Sequence, residues 1–101
     1  MKSCEYLEKV KAKLSKVGTL TTRAMMGGYL VYVNGVYCAI VDDDTLYVKK
    51  FAENAEFFAD CPQKPPYDGA KPMYTPDISD DDYIAEGIEL TFIGAANNKS
   101  R

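Results

Sequence analysis

The sequence contains no histidine and no tryptophan, and only three of its 101 residues are cysteines. Without histidine it lacks the commonest proton shuttle at neutral pH, which excludes Ser-His and Cys-His catalytic pairs. Cys4, Cys38 and Cys61 form no Cys-x-x-Cys motif, so they predict reduced thiols rather than disulfides or a zinc site. We therefore expect a protein that is not an enzyme and that uses no metal and no cofactor.

Excess positive charge and long apolar runs are also absent. The formal net charge is −3 and the pI is about 4.8, whereas a surface that binds nucleic acid directly normally carries a basic stripe. No apolar run approaches the roughly 20 residues that cross a bilayer. The N-terminal MKSCEYLEKV lacks the continuous apolar core of a signal peptide. A cytoplasmic protein that binds neither nucleic acid nor a membrane is the expectation.

The residues that are present predict one domain over residues 1–101, with helices at both ends and strands between them. An amphipathic helix begins near Ser3 and ends at Gly18, a second helix covers residues 51–60, and Ser79 with its three following aspartates starts a third. Residues 73–75 form a short strand between the last two helices. The predicted fold is α+β, a two-layer antiparallel sheet of about five strands with helices mainly on one face, in the order α-β-β-β-β-α-β-α.

The four central strands are separated by recognisable turn signals. Gly27-Gly28 indicates a bend after the strand at residues 20–26, and Asn34-Gly35 is typical of a two-residue hairpin turn. That turn pairs Tyr32 with Tyr37, and by alternation it pairs Leu30 with Ala39 and Tyr29 with Ile40. If residues 42–44 form a three-residue turn, the predicted core face carries Tyr29, Val31, Val33, Val36, Cys38, Ile40, Leu46 and Val48. The opposite face then carries Leu30, Tyr32, Tyr37, Ala39, Tyr47 and Lys49.

Two aspartate runs are the only sequence features that suggest a metal site. Residues 42–44 lack the spacing and the closing glutamate of a calcium loop, and residues 80–82 fit the first turn of a helix. We interpret the two runs as a turn and a helix cap.

Tyr32, Tyr37 and Tyr47 are the most informative candidates for a functional surface. Placed together on the face opposite the core, they fit ordinary cross-strand packing with half-buried rings. The same placement also fits a docking surface, because tyrosine provides a large contact area at low entropic cost. Replacing Tyr32 and Tyr47 with serine and measuring partner capture or oligomer size would distinguish the two.

A set of short motifs between Arg23 and Lys49 resembles a known family. The segments RAMMGG, YVNGV, AIVDD and LYVK are similar to the patterns R-x-M-F-G-G, l-Y-x-D-G, F-A-l-V-x-D-D and L-Y-L-K. These patterns belong to the N-terminal domain of TfoX (Sxy), the bacterial regulator of competence genes, and the resemblance runs from about Cys4 to Ala95. Met26 replaces the family phenylalanine, and Asn34 replaces the turn aspartate. The resemblance implies a regulatory α+β domain without the helix-hairpin-helix-like C-terminal domain of the full-length regulators.

Two functional hypotheses follow. The leading one is a non-enzymatic regulatory domain that contacts a protein partner, a homodimer being one form, through Tyr32, Tyr37, Tyr47 and Arg23. The alternative is a small-ligand binding domain or an enzyme. In that case a pocket between sheet and helices would be lined by Tyr67, Lys71 and Tyr74. A flat aromatic face favours the first hypothesis, and a deep pocket with polar groups favours the second.

Overall fold

Six strands form one antiparallel sheet in a computed structural model of the chain, which describes residues 2–25 and 28–99 and, within them, the side chains of residues 5–25 and 28–97. Met26 and Gly27 lie outside the described residues, and the predicted side-chain roles of Ser3 and Cys4 lie outside the described side chains. The spatial order is β1-β2-β3-β4-β6-β5. The strands are β1 (Leu20–Met25), β2 (Gly28–Val33), β3 (Val36–Asp42), β4 (Thr45–Val48), β5 (Gln63–Lys64) and β6 (Met73–Tyr74).

Three helices cover one face of this sheet. They are α1 (Lys2–Leu14), α2 (Ala52–Ala55) and α3 (Asp81–Lys99). The α+β class, the antiparallel sheet and the helical layer are as predicted, and β5 is one strand more than the sequence indicated. The second helix is shorter than predicted because only residues 52–55 are helical and the chain continues in turns to residue 60.

The core lies between the helices and the inner face of β2, β3 and β4. Leu7, Val10 and Leu14 of α1, together with Ile84 and Ile88 of α3, are buried there. They meet Val31, Val33, Ala39, Val41, Leu46 and Val48 of the sheet, with Phe58 between the layers. Burial of this apolar surface is the main stabilising term of the fold.

A β-bulge in β3 changes which residues face the core. Tyr32 pairs with Tyr37 as predicted, but Val31 pairs with Ala39, so Cys38 is the extra residue. An inserted residue reverses the alternation beyond it. Ala39 therefore faces the core and Ile40 faces the opposite side, whereas regular alternation predicted the reverse.

The turn between β3 and β4 also differs from the prediction. Asp42 pairs with Thr45, leaving a two-residue turn in which Asp43 and Asp44 have φ of 50° and 53°. Positive φ at both central residues is characteristic of a type I′ turn, which matches the twist of paired strands. The shorter turn and the bulge each shift the register by one residue, and the two shifts cancel. Leu46 and Val48 therefore face the core, as predicted.

The ends of the first and third helices are joined across the helical layer. Lys13 Nζ lies 2.6 Å from Asp81 Oδ1, and Lys16 Nζ lies 2.8 Å from Asp82 Oδ1.

The Asp80 carboxylate accepts a hydrogen bond from the backbone N–H of Tyr83, so the cap of the third helix is Asp80 rather than Ser79. The first helix ends at Leu14, and Gly18 does not have the positive φ expected of a helix-ending glycine.

A proline-rich loop joins β5 to β6 and lies outside the helical layer. The two strands pair through Gln63 with Tyr74 and Lys64 with Met73, which makes residues 65–72 a hairpin loop. Within the loop, the backbone N–H of Ala70 donates to the carbonyl of Tyr67 at 3.1 Å, and Gly69 has a φ of 86°. A positive φ at the third of four residues indicates a type II turn, which glycine adopts without strain.

Candidate interaction groove

The sheet face away from the helices carries all four residues of the predicted interaction surface. Arg23 pairs with Leu30, Leu30 with Ile40, and Ile40 with Tyr47, so these side chains form one row across the sheet. Tyr32 and Tyr37 pair directly, with ring centroids 5.9 Å apart and ring planes tilted by 47°. The three tyrosines therefore lie on the predicted face, although Ile40 takes the place of Ala39 there, and the role of this face in binding stays a prediction.

This face is only partly open, because the proline-rich loop lies against it. Pro66, Tyr67, Ala70 and Lys71 line a hollow together with Ile40. Ile40 is 4% exposed and Tyr47, directly beside it, is 6% exposed. A flat platform containing Tyr47 is consequently not what the chain forms. Tyr47 is a buried part of the face, and the accessible surface is a groove.

We call this surface the tyrosine–lysine groove. It has a central hollow of about 490 Å³, and the sheet provides one of its walls and the β5–β6 loop the other. The lining residues of the central hollow are Tyr37, Ile40, Lys49, Lys50, Pro66, Tyr67, Ala70, Lys71, Pro72 and Met73. A second hollow adjoins it at Tyr37 and Lys49, and a third adjoins it at Ile40 and Tyr67.

Lysine ammonium groups lie beside the aromatic rings of the groove. Lys49 Nζ is 4.5 Å from the centroid of the Tyr37 ring and 5.4 Å from that of Phe51, distances at which a cation is attracted to the ring face. Lys50 Nζ donates to Gln63 Oε1 at 2.8 Å. Within the described part of the chain, neither Lys49 nor Lys71 has a carboxylate at ion-pair distance, so both charges are free to meet an anionic ligand.

Tyr37 of the groove remains protonated at neutral pH. Burial raises the pKa of the Tyr37 phenol above its ordinary value of 10.0, and the nearby phenols of Tyr67 and Tyr32 raise it further. Tyr67 is 60% exposed at the rim. Neutral phenols can donate hydrogen bonds and stack, but they cannot serve as bases.

The two cysteines whose side chains are described lie apart from the groove lining. Cys38 is fully buried at the bulge, and burial raises its pKa to about 11. Burial also raises the pKa of Cys61, which is partly exposed near Pro62. Since the thiolate is the nucleophilic form, neither thiol is activated.

The alternative pocket predicted from the sequence is divided by the sheet. Tyr67 and Lys71 line the groove on the face opposite the helices, while Tyr74 is 4% exposed in the core, with its ring 5.0 Å from that of Phe58. Tyr74 pairs with Val48, a core residue, which places it on the inner face. A pocket between sheet and helices containing all three residues is therefore wrong.

Several groove residues were not singled out in the sequence as functional. Regular alternation along the strand predicts Ile40 in the core, because a bulge in a run of apolar residues leaves no sequence signal. Pro66 and Met73 join the groove through the path of the loop. Lys49 had already been placed on the same face as the tyrosines, and its position two residues after Tyr47 was the available signal.

Among the described side chains, those of residues 5–25 and 28–97, there is no group of three or more histidines, cysteines, aspartates or glutamates that could hold a metal ion. No helix in the same part of the chain has the length and apolar character to span a membrane.

The fold thus defines the class of protein. It is a two-layer α+β domain with a basic, tyrosine-lined groove opposite its helices. The family model for the TfoX N-terminal domain matches residues 12–89. The chain belongs to this family, which makes it a domain of the regulatory type. A comparison with curated protein sequences finds no match.

Proposed function

We propose that this protein is a non-enzymatic regulatory domain that acts in the cytoplasm by contacting another protein through the tyrosine–lysine groove. The observation that carries the proposal is the convergence of Tyr32, Tyr37 and Tyr67 with Lys49 and Lys71 on one accessible surface. Tyrosine is enriched where proteins bind one another, since its ring buries a large area and its hydroxyl tolerates water.

The lack of an activated thiol among the described side chains supports a binding role over a catalytic one. The chain contains no histidine. Burial raises the pKa values of Cys38, Cys61 and Tyr37. These groups are therefore protonated at neutral pH, where an acid–base catalyst needs a pKa near the working pH.

Direct DNA binding is not part of the proposed function. A net charge of −3 gives long-range repulsion from phosphates. In a gel-shift assay at about 0.15 M salt, we expect no retardation of promoter-length duplex at micromolar protein. Retardation that increases with salt dilution and is lost in Lys49→Ala would contradict this expectation.

Site-specific photo-crosslinking tests the proposed contact. A photoreactive residue at position 67 should capture a partner in native cells, and the partner should then bind the purified protein. Tyr32→Ser should reduce capture about tenfold, as expected for an aromatic contact residue. A photoreactive residue at position 93 is the control, since Ile93 is exposed on the helical side. Capture that is equal at both positions, or insensitive to Tyr32→Ser, would refute the proposal.

The volume of the central hollow favours a second candidate function, binding of a small anionic ligand. About 490 Å³ lies within the range of roughly 300 to 1,000 Å³ typical of small-molecule sites. Native mass spectrometry of protein isolated under gentle conditions distinguishes the two. A co-purifying anionic metabolite that is lost in Lys71→Glu, with no partner crosslinked at position 67, would favour this second function.

A further inference from the structure

The tyrosine–lysine groove is longer than its central hollow. The adjoining hollows extend it to Asp42 and Met25 at one end and to Val36, Phe51 and Ala95 at the other. Val36, Phe51 and Ala95 pack on the core side, so on the outer face the groove follows β3 from Tyr37 to Asp42. At about 3.3 Å per residue this path is about 16 Å long, which suits an extended segment of about five residues.

The charge along the groove is distributed unevenly. Lys49, Lys50 and Lys71 surround the central hollow, and no aspartate or glutamate among the described residues lines it. Asp42 lies at the far end, in the third hollow. In a chain of net charge −3, this local excess of positive charge is complementary to a segment with a few carboxylates. A polyanion with a charge at every nucleotide would be repelled by the rest of the surface.

The geometry also limits the conformation of the occupant. The backbone groups of β3 are already paired with β2 and β4, so a peptide lying on this face cannot add to the sheet as a strand. A polyproline II segment needs no such pairing because its backbone groups stay solvated. Grooves lined by aromatic rings are the sites at which such segments dock in other domains.

We propose that the groove binds an extended, proline-containing acidic segment of the partner protein. This inference rests on the proposed function and specifies the chemistry of the partner. The rings of Tyr37 and Tyr67 would contact the prolines. Lys49 and Lys71 would pair with carboxylates on either side of them, and the tilted ring pair of Tyr32 and Tyr37 would bound the groove at the hairpin end.

Fluorescence anisotropy with synthetic peptides tests this assignment. The probe is a short fluorescent peptide in which glutamates alternate with prolines, and matched peptides replace the glutamates with lysines or the prolines with alanines. We expect saturable binding of the first peptide alone, weakening as salt rises from about 0.05 to 0.5 M. Lys71→Glu and Tyr67→Ser should each weaken it about fivefold or more.

Two variants remote from the groove serve as matched controls. Lys9→Glu makes the same charge change on α1, and Ile93→Ser removes the other exposed large apolar side chain among those described. Both should leave peptide affinity within about twofold of that of the parent protein. Equal binding of the lysine or alanine peptide, tighter binding of oligothymidylate, or tighter binding of an acidic helical peptide would overturn the inference.

Failure of this inference differs from failure of the proposed function. If every peptide fails to bind while position 67 still captures a partner in a Tyr32-dependent manner, the segment class is wrong and the protein contact remains. If capture at position 67 is no more sensitive to Tyr32→Ser than to Ile93→Ser, the contact itself is wrong.

Discussion

At the scale of single residues, Asn54 and Thr91 are the two fully buried polar side chains among those described. Asn54 Nδ2 donates to the carbonyl of Lys49 at 2.9 Å and to Thr91 Oγ1 at 2.7 Å, while Asn54 Oδ1 accepts from the N–H of Phe51. Thr91 Oγ1 donates in turn to the carbonyl of Gly87. This network joins the end of β4, the start of α2 and the middle of α3 without leaving a buried partner unsatisfied.

Replacing Asn54 with alanine should lower the free energy of unfolding by about 2 to 4 kcal/mol. The change leaves the part-buried carbonyl of Lys49 and the part-buried N–H of Phe51 without these partners, and each unsatisfied group costs about 1 to 3 kcal/mol. Urea denaturation measures the change. Asn97→Ala removes a solvent-exposed hydrogen bond to Glu53 and should cost under about 0.5 kcal/mol. Similar losses in the two variants would contradict this account of the network.

The two described thiols should differ in chemical reactivity. Cys38 is fully buried with a pKa of about 11, so an aromatic disulfide reagent at pH 8 should modify it only as the protein unfolds. Cys61 is partly exposed and should react at least about tenfold faster, though more slowly than free cysteine because its pKa is also raised. Comparing Cys38→Ala and Cys61→Ala assigns the two rates. Rapid loss of the Cys38 thiol in the native protein would rule out the buried position.

At the scale of secondary-structure elements, the two hairpin turns of the central sheet make a matched pair. Asn34-Gly35 has the preferred type I′ dipeptide, whereas Asp43-Asp44 holds two aspartates at positive φ. Asp44→Gly should raise the free energy of unfolding by about 0.5 to 1 kcal/mol, because glycine adopts this conformation without strain. Gly35→Asp should lower it by a similar amount. Thermal melting of both variants checks the signs, and a destabilising Asp44→Gly would contradict the turn assignment.

The strands and helices could be predicted from the sequence to different degrees. Asn34-Gly35 sufficed to place Tyr32 opposite Tyr37 and to put the tyrosines on the side away from the core. The bulge at Cys38 could not be predicted, because VYCAIV is a continuous run of apolar residues and gives no alternation from which a break in register could be detected. The β5–β6 loop could be recognised by its prolines. Its position over Ile40 depends on tertiary packing that local patterns do not encode.

At the scale of the whole molecule, the α1–α3 ion pairs should make stability depend on pH. The hydrogen bond from Lys16 and its charge hold the pKa of Asp82 below 3.8, and Asp82 likewise raises the pKa of Lys16 above 10.5. The Asp82 contribution is fully present above the unfolded-state pKa and is lost as the pH falls through the lower folded-state pKa. The Lys16 contribution is lost as the pH rises through its raised folded-state pKa.

Comparing Asp82→Asn with the parent protein isolates the loss of stability at low pH that comes from the Asp82 ion pair. The parent should have the higher urea midpoint at pH 7, and the difference should shrink as the pH falls below about 4. Asp68→Asn, which removes a loop carboxylate with no ion pair among the described residues, should show no such convergence. A difference between Asp82→Asn and the parent that stays constant with pH would exclude the ion pair as its source.

The hairpin loop over the sheet gives the groove a replaceable wall. Residues 65–72 contribute five of the ten residues that line the central hollow, and none of them belongs to the apolar core. Exchanging them for a loop of different sequence would therefore change the shape and charge of the groove while β5 and β6 still close the hairpin. Shortening the same segment would instead uncover Ile40 and leave an apolar patch on the outer side of the sheet.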